Sequence, residues 1–117
     1  MTNIVITAAK RTAIGKFLGS LSSFSAAELG KCVINALVNE TKLDKSLIDE
    51  VIMGQVLSGG SGQNPARQSS ILAEIPEEKS AVTINQVCGS GLRAVTMAAQ
   101  SIMTQQSEIV LAGGQES

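Results

Sequence analysis

The chain reads as an α/β domain with a mostly parallel sheet covered by helices on both faces. Three observations predict it. Short apolar runs of strand type alternate with segments whose apolar residues recur at helical spacing. The strand runs are nearly continuous in Val, Ile and Ala, as in strands buried on both faces. Their order is strand, helix, strand, helix, strand, helix, strand, which is the pattern of crossover-connected parallel strands.

Asn3 to Ala9 is short, apolar and β-branched, and is expected to be the first buried strand. Lys10 to Ser23 is a loop rich in Gly, Ser and Thr. Ser25 fits a helix N-cap. Glu28 stands three residues on to complete a capping box, and Phe24 and Leu29 are spaced as a hydrophobic staple. Leu29, Cys32, Val33, Ala36 and Leu37 then predict a helix of roughly four turns with Cys32 in the core. Asp44 is placed to cap a short helical turn through Leu47 and Ile48, and Glu50 to Val56 reads as the second strand. Leu57 to Asn64 (LSGGSGQN) is a glycine-rich loop. Asn64 as N-cap with Pro65 at the first helical position starts a helix to about Ala73, and Pro76 bars its continuation. Ala81 to Val87 is the third strand. Leu92, Val95, Ala99, Ile102 and Met103 form the apolar stripe of the next helix, and Ile109 to Ala112 is the fourth strand. Glu116 and Ser117 lie at the chain end, where order is expected to be poor.

Composition narrows the function. Among 117 residues, 44% are hydrophobic and 16% charged, enough for one packed domain rather than a disordered chain. The net charge is −1 and the bases are scattered, so neither nucleic acid nor an anionic membrane surface is an expected partner. No apolar run reaches the roughly 18 residues of a membrane span, and Met1-Thr2-Asn3 does not begin a signal peptide. Cys32 and Cys88 match no metal spacing. A cytoplasmic protein with reduced thiols is the expectation. The chain has no His. The commonest general base is therefore missing, and no Cys–His or Ser–His pair can be assembled from these residues.

Cys88 is the candidate for covalent chemistry. Val82-Thr83-Ile84-Asn85-Gln86-Val87 leads into it as a strand, and Gly89-Ser90-Gly91 opens into a helix. A sulfur there projects from the carboxyl end of a strand and lies against free helix N–H groups, which favour negative charge. Parallel sheets collect their ligands at such ends, and the layout parallels the strand–nucleophile–helix elbow of hydrolases. The alternative is a small thiol filling a tight turn. Ser90 is a candidate cap for the following helix and a candidate catalytic hydroxyl. Arg67 and Arg93 are candidates to hold an anion or to form ion pairs. Gly59-Gly60-Ser61-Gly62 fails the dinucleotide fingerprint, because Pro65 stands where the third glycine is needed. No Gly-Lys-Ser/Thr follows it, so it reads as a flexible loop delivering the next helix.

The segment Ile84 to Val95 (INQVCGSGLRAV) resembles the acyl-enzyme signature of thiolases, in their acetyl-CoA acetyltransferase branch. Three further segments match in order. Arg11-Thr12-Ala13-Ile14-Gly15-Lys16-Phe17 resembles the loop after the first thiolase strand. Gly62-Gln63-Asn64-Pro65-Ala66-Arg67-Gln68 resembles the loop and helix start before the nucleophile strand. Ala112-Gly113-Gly114-Gln115-Glu116-Ser117 resembles the turn after the fourth strand. Two positions depart: Gln115 stands where Met is frequent in the family, and Leu18 where Gly is. The four segments favour thiolase over a ketoacyl synthase on the same fold.

The resemblance implies a thiolase-like N-terminal half, residues 1–117, truncated before its last strand and with no second domain in the chain. It implies that Cys88 takes an acetyl group from acetyl-CoA as a thioester, its backbone N–H contributing to an oxyanion hole. A second acetyl-CoA then attacks to give acetoacetyl-CoA, or the reverse thiolysis runs. Coenzyme A thioesters are the implied substrates, with no covalently bound cofactor and no metal. A homo-oligomer is implied for full-length members, with the nucleophile strand at the dimer interface. The family's activating His and second catalytic Cys belong to its other half, so this chain alone is expected to be inactive. The remaining alternative is a non-catalytic remnant or a dimerising interaction module.

Overall fold

A computed structural model describes residues 3–117; Met1 and Thr2, part of the segment read as lacking signal-peptide character, lie outside them. Three strands, β1 (Glu50–Gly54), β2 (Ser80–Ile84) and β3 (Val110–Gly114), form one parallel sheet in the order β2-β1-β3. Ile52 at its centre lies opposite Val82 on one side and Ala112 on the other. Helix α1 (Ala26–Thr41) precedes β1, α2 (Pro65–Leu72) links β1 to β2, and α3 (Ser90–Met103) links β2 to β3. No helix among the described residues is long and apolar enough to cross a membrane.

Both faces of the sheet are covered. Val51 and Met53 point into a cluster with Ile34 and Val38 of α1 and Ala66 of α2. Ile52, one residue out of phase, points the other way onto Ala94 and Ala98 of α3. Each large apolar side chain buried in this way contributes about 1.5–3 kcal/mol. The caps form as the sequence predicts. Ser25 and Glu28 close a capping box on α1, Asp44 caps the 3-10 turn Lys45–Leu47, and Asn64 caps α2 with Pro65 at its first position.

The expected first strand does not form. Asn3 to Ala9 pairs with no strand, and Val5 and Ile6 are 71% and 76% exposed. Strand propensity sets an extended backbone, but a strand needs a neighbour about 4.8 Å away. Here a cavity of about 650 Å³ intervenes, lined on one side by residues 4–12 and on another by β3. The outer edge of β3 has no partner among the described residues.

The same cavity explains two misplaced helix stripes. Leu29, Val33 and Leu37 of α1 line it and stay half-buried; the fully buried stripe is Ala26, Ala27, Gly30, Ile34 and Val38, the last three of which also touch the cavity. Cys32 lies about 200° around the helix from Gly30 and from Ile34, and is exposed rather than core. On α3 the buried residues are small: Ser90, Ala94, Ala98 and Ser101. Val95, Ala99 and Ile102 face the cavity, and Leu92 and Met103 are exposed.

Asp49 fastens β1 to β3 at their amino-terminal ends. Its carboxylate accepts from the N–H of Glu108 at 2.8 Å and of Ile109 at 3.1 Å, and its own N–H donates to the Ile109 carbonyl at 2.9 Å. The bonds from Glu108 and Ile109 hold its carboxyl below the ordinary aspartate value. A carboxyl lowered in the folded state contributes stability above its unfolded pKa and loses it as pH falls through the folded value. Asp49→Asn is therefore expected to lower the Tm at pH 7, with the gap to wild type closing below about pH 4. Thermal unfolding by circular dichroism across pH checks this. An equal gap at neutral and strongly acid pH would contradict it.

Candidate active site

Cys88 lies where the sequence places it, in the turn between the carboxyl end of β2 and α3, and it is exposed. The expected strand through Val87 stops at Ile84. Its partner β1 ends opposite it at Gly54, and beyond stands Val87, whose φ of 49° is left-handed. A β-branched residue is a true outlier there, and such strain persists only when its surroundings hold it.

The surroundings do hold it. Asn85 Oδ1 accepts from the Val87 N–H at 2.8 Å, an Asx turn. The Gln86 N–H donates to Ser90 Oγ at 2.8 Å, and that hydroxyl donates to the Val87 carbonyl at 2.6 Å. The N–H groups of Gly89 and Ser90 donate to the carbonyls of Gln86 and Val87. Every amide from Gln86 to Ser90 is thus engaged except one: no acceptor among the described residues takes the Cys88 N–H. Ser90 was expected to cap α3. It stands instead at the first helical position, with Gly89 as an N-cap that makes no side-chain bond. The buried Ser90 hydroxyl ties the turn rather than the helix.

The turn is seated on β1. A Cβ on Gly54 would lie 2.5 Å from the Ser90 carbonyl carbon and 2.6 Å from its Cβ, so only glycine admits the start of α3 this close to the sheet. Asn85 adds a bond from its amide to the Val56 carbonyl at 3.3 Å. The glycine-rich loop Leu57–Asn64 follows β1 and delivers α2. Its end is pinned to β2: Asn64 Nδ2 donates to the Ala81 carbonyl, and Thr83 Oγ1 donates to Asn64 Oδ1.

Beneath the carboxyl ends of the strands lies a buried polar relay. Ser69 Oγ donates to Gln115 Oε1 at 2.6 Å, and Gln115 Nε2 donates to Gln55 Oε1 at 3.0 Å. Glu116, expected to fray, is held: its two carboxylate oxygens accept from the N–H groups of Val56 and Leu57 at 2.8 and 2.9 Å. Ser117 Oγ donates to the Phe24 carbonyl. Arg67 forms no ion pair among the described residues. Its guanidinium donates to the Lys79 and Glu77 carbonyls and so shapes the turn before β2. Arg93 is exposed, without an ion pair among the described residues. Leu18, at a position where glycine was noted above, has a left-handed φ of 54°.

Asn85 and the tying role of Ser90 escaped the sequence reading. An Asn two residues before a turn residue is the signal that points to an Asx turn.

Comparison with known proteins fits this layout. Residues 4–117 match the family described as thiolase, N-terminal domain. An acetyl-CoA acetyltransferase of Cupriavidus necator is 56% identical over 116 residues, covering 99% of this chain and 30% of that protein. An acetyl-CoA acetyltransferase of Pseudomonas aeruginosa is 53% identical over the same shares. The crystal structure of the Acat5 thiolase from Ascaris suum in complex with coenzyme A aligns with a TM-score of 0.89 at 47% identity. It covers 92% of this chain and 28% of that one. The acetyl-CoA acetyltransferase of Bacillus anthracis aligns with a TM-score of 0.90 at 36% identity, over 94% and 28% of the two chains. The chain thus spans about 30% of the length of the curated relatives it matches.

The tight seat at Gly54 predicts a contrast. Gly54→Ala is expected to cost about 1–3 kcal/mol, as overpacking against backbone does. Gly59→Ala, where an added Cβ meets nothing within 4 Å, is expected to be close to neutral. Urea unfolding of both variants measures the difference, and equal stabilities would contradict the seat.

Proposed function

The chain belongs to the thiolase family, and on that premise we propose that Cys88 is the acyl-accepting nucleophile of an acetyl-CoA acetyltransferase. The observation that carries this is the exposed Cys88 sulfur at the strand–helix turn, beside an amide that no described residue engages. The sulfur attacks the thioester carbonyl of acetyl-CoA. The Cys88 N–H donates to the oxyanion that develops. The bond to coenzyme A breaks, its thiolate leaves and is protonated, and S-acetyl Cys88 remains. A second acetyl-CoA loses a methyl proton, and its carbon attacks that thioester. Acetoacetyl-CoA leaves and the Cys88 thiolate returns.

Two of these steps move a proton, and these 117 residues contain no His to move it. A positioned acid or base contributes roughly 10²–10⁴-fold, so the full reaction draws that group from outside these residues. The cavity between β3 and residues 4–9 supports the same reading. A strand supplied from outside these residues would pair with the open edge of β3 and fill that cavity.

Acylation tests the role. The purified chain is incubated with excess acetyl-CoA at neutral pH and its two cysteines are read by peptide mass spectrometry. Slow acetylation is expected, at Cys88 well above Cys32, which is also free and exposed. Equal labelling of both thiols contradicts the nucleophile role. Rapid stoichiometric acetylation contradicts the need for a group from outside these residues.

A second reading, a dimerising module, is favoured by one observation. The outer edge of β2 is unpaired among the described residues, and Val87 and Leu92 beside Cys88 are 63% and 74% exposed. A second copy pairing along β2 would cover them. Light scattering after size exclusion is then expected to give twice the chain mass, and a folded monomer at high concentration would contradict it.

A further inference from the structure

We infer that Ser90 and Asn85 are positioning residues for acyl transfer: by holding Val87 in a left-handed conformation they leave the Cys88 amide unbonded and available to the substrate oxygen. The inference rests on the nucleophile reading above and adds to it the device that prepares the amide.

Five consecutive amides pass through this turn. Four are consumed internally: Gln86 by the Ser90 hydroxyl, Val87 by the Asn85 side chain, Gly89 and Ser90 by backbone carbonyls. The fifth, that of Cys88, is the residue's own donor beside its own sulfur. The pattern depends on Val87 at φ 49°. Were Val87 to relax to an extended conformation, the peptide joining it to Cys88 would rotate and take the Cys88 N–H with it. The two side-chain groups oppose that relaxation from opposite sides. Asn85 holds the Val87 N–H at 2.8 Å, and Ser90 Oγ holds the Val87 carbonyl at 2.6 Å, so both ends of Val87 are fixed. Ser90 is itself buried against Gly54. The hydroxyl is also spent by this duty. It donates to one partner and accepts from another, which places it outside the proton transfers of the reaction.

The two halves of the proposal have different chemical readouts. Attack on a thioester builds an oxyanion and needs the Cys88 amide. Alkylation by iodoacetamide is a displacement at saturated carbon: sulfur bonds to carbon, iodide leaves, and no oxyanion forms. Ser90→Ala is therefore expected to slow acetylation of Cys88 by acetyl-CoA at least about tenfold, within the roughly 10²-fold that misplacing a reacting group costs. Alkylation of Cys88 by iodoacetamide is expected to change by less than about twofold, because the sulfur stays exposed. Glycine adopts positive φ without penalty. In a Val87→Gly background, Ser90→Ala is thus expected to cost much less acetylation than in wild type.

Equal loss of acetylation and alkylation would mark Ser90 as merely structural and overturn the proposal, as would the same loss in both backgrounds. If Ser90→Ala does not fold by circular dichroism, Asn85→Ala carries the same paired test from the exposed side of the turn. Wild-type chain that alkylates at Cys88 yet acetylates no faster there than at Cys32 would fail the nucleophile reading itself. That result is distinct from failure of the positioning role.

Discussion

The structure depends on the approach of α3 to β1 at Gly54. A helix start pressed to within a missing Cβ of the sheet fixes where Ser90 sits. Ser90 in turn fixes the backbone of Gln86 and Val87, and that backbone sets the Cys88 sulfur and amide side by side above the carboxyl ends of the strands. The small residues on the buried side of α3, Ala94, Ala98 and Ser101, follow from the same constraint. The residues of α3 buried fully against the sheet are small, and the larger Met97 packs only at the margin of that cluster. The strain at Val87 is localised where the chemistry is assigned, and the packing around it keeps that strain in place.

Much of this was legible in the residues. The caps at Ser25, Asp44 and Asn64 were readable because capping is local, one side chain to an amide two or three residues away. The parallel sheet was readable because strands buried on both faces are apolar throughout. Cys88 stood out because a thiol at a strand–helix junction is a recognisable arrangement, and its flanks matched a family signature.

What was not legible depends on tertiary context. Asn3 to Ala9 has strand composition, but composition does not say whether a neighbour lies beside it. Across the cavity next to β3 there is none among the described residues. Helical spacing of apolar residues picks out stripes on α1 and α3 but does not say which side of each stripe meets the sheet. The larger residues Leu29, Val33, Val95 and Ile102 face that cavity, whereas the tightly buried stripes are built mainly of smaller ones. Cys32 falls on the α1 stripe by that spacing, yet it is exposed. The turn at Cys88 was placed correctly, yet its strained φ and the Ser90 tie depend on Gly54, more than thirty residues away in sequence.

The central claim is that Cys88 accepts an acyl group with its own amide facing the carbonyl oxygen. A crystal structure of the S-acetylated chain tests this most directly. The account predicts electron density for acetyl on Cys88, its carbonyl oxygen about 2.7–3.1 Å from the Cys88 nitrogen, and Val87 still left-handed. An acetyl carbonyl turned to solvent, with the Cys88 amide bonded elsewhere in the turn, would contradict it.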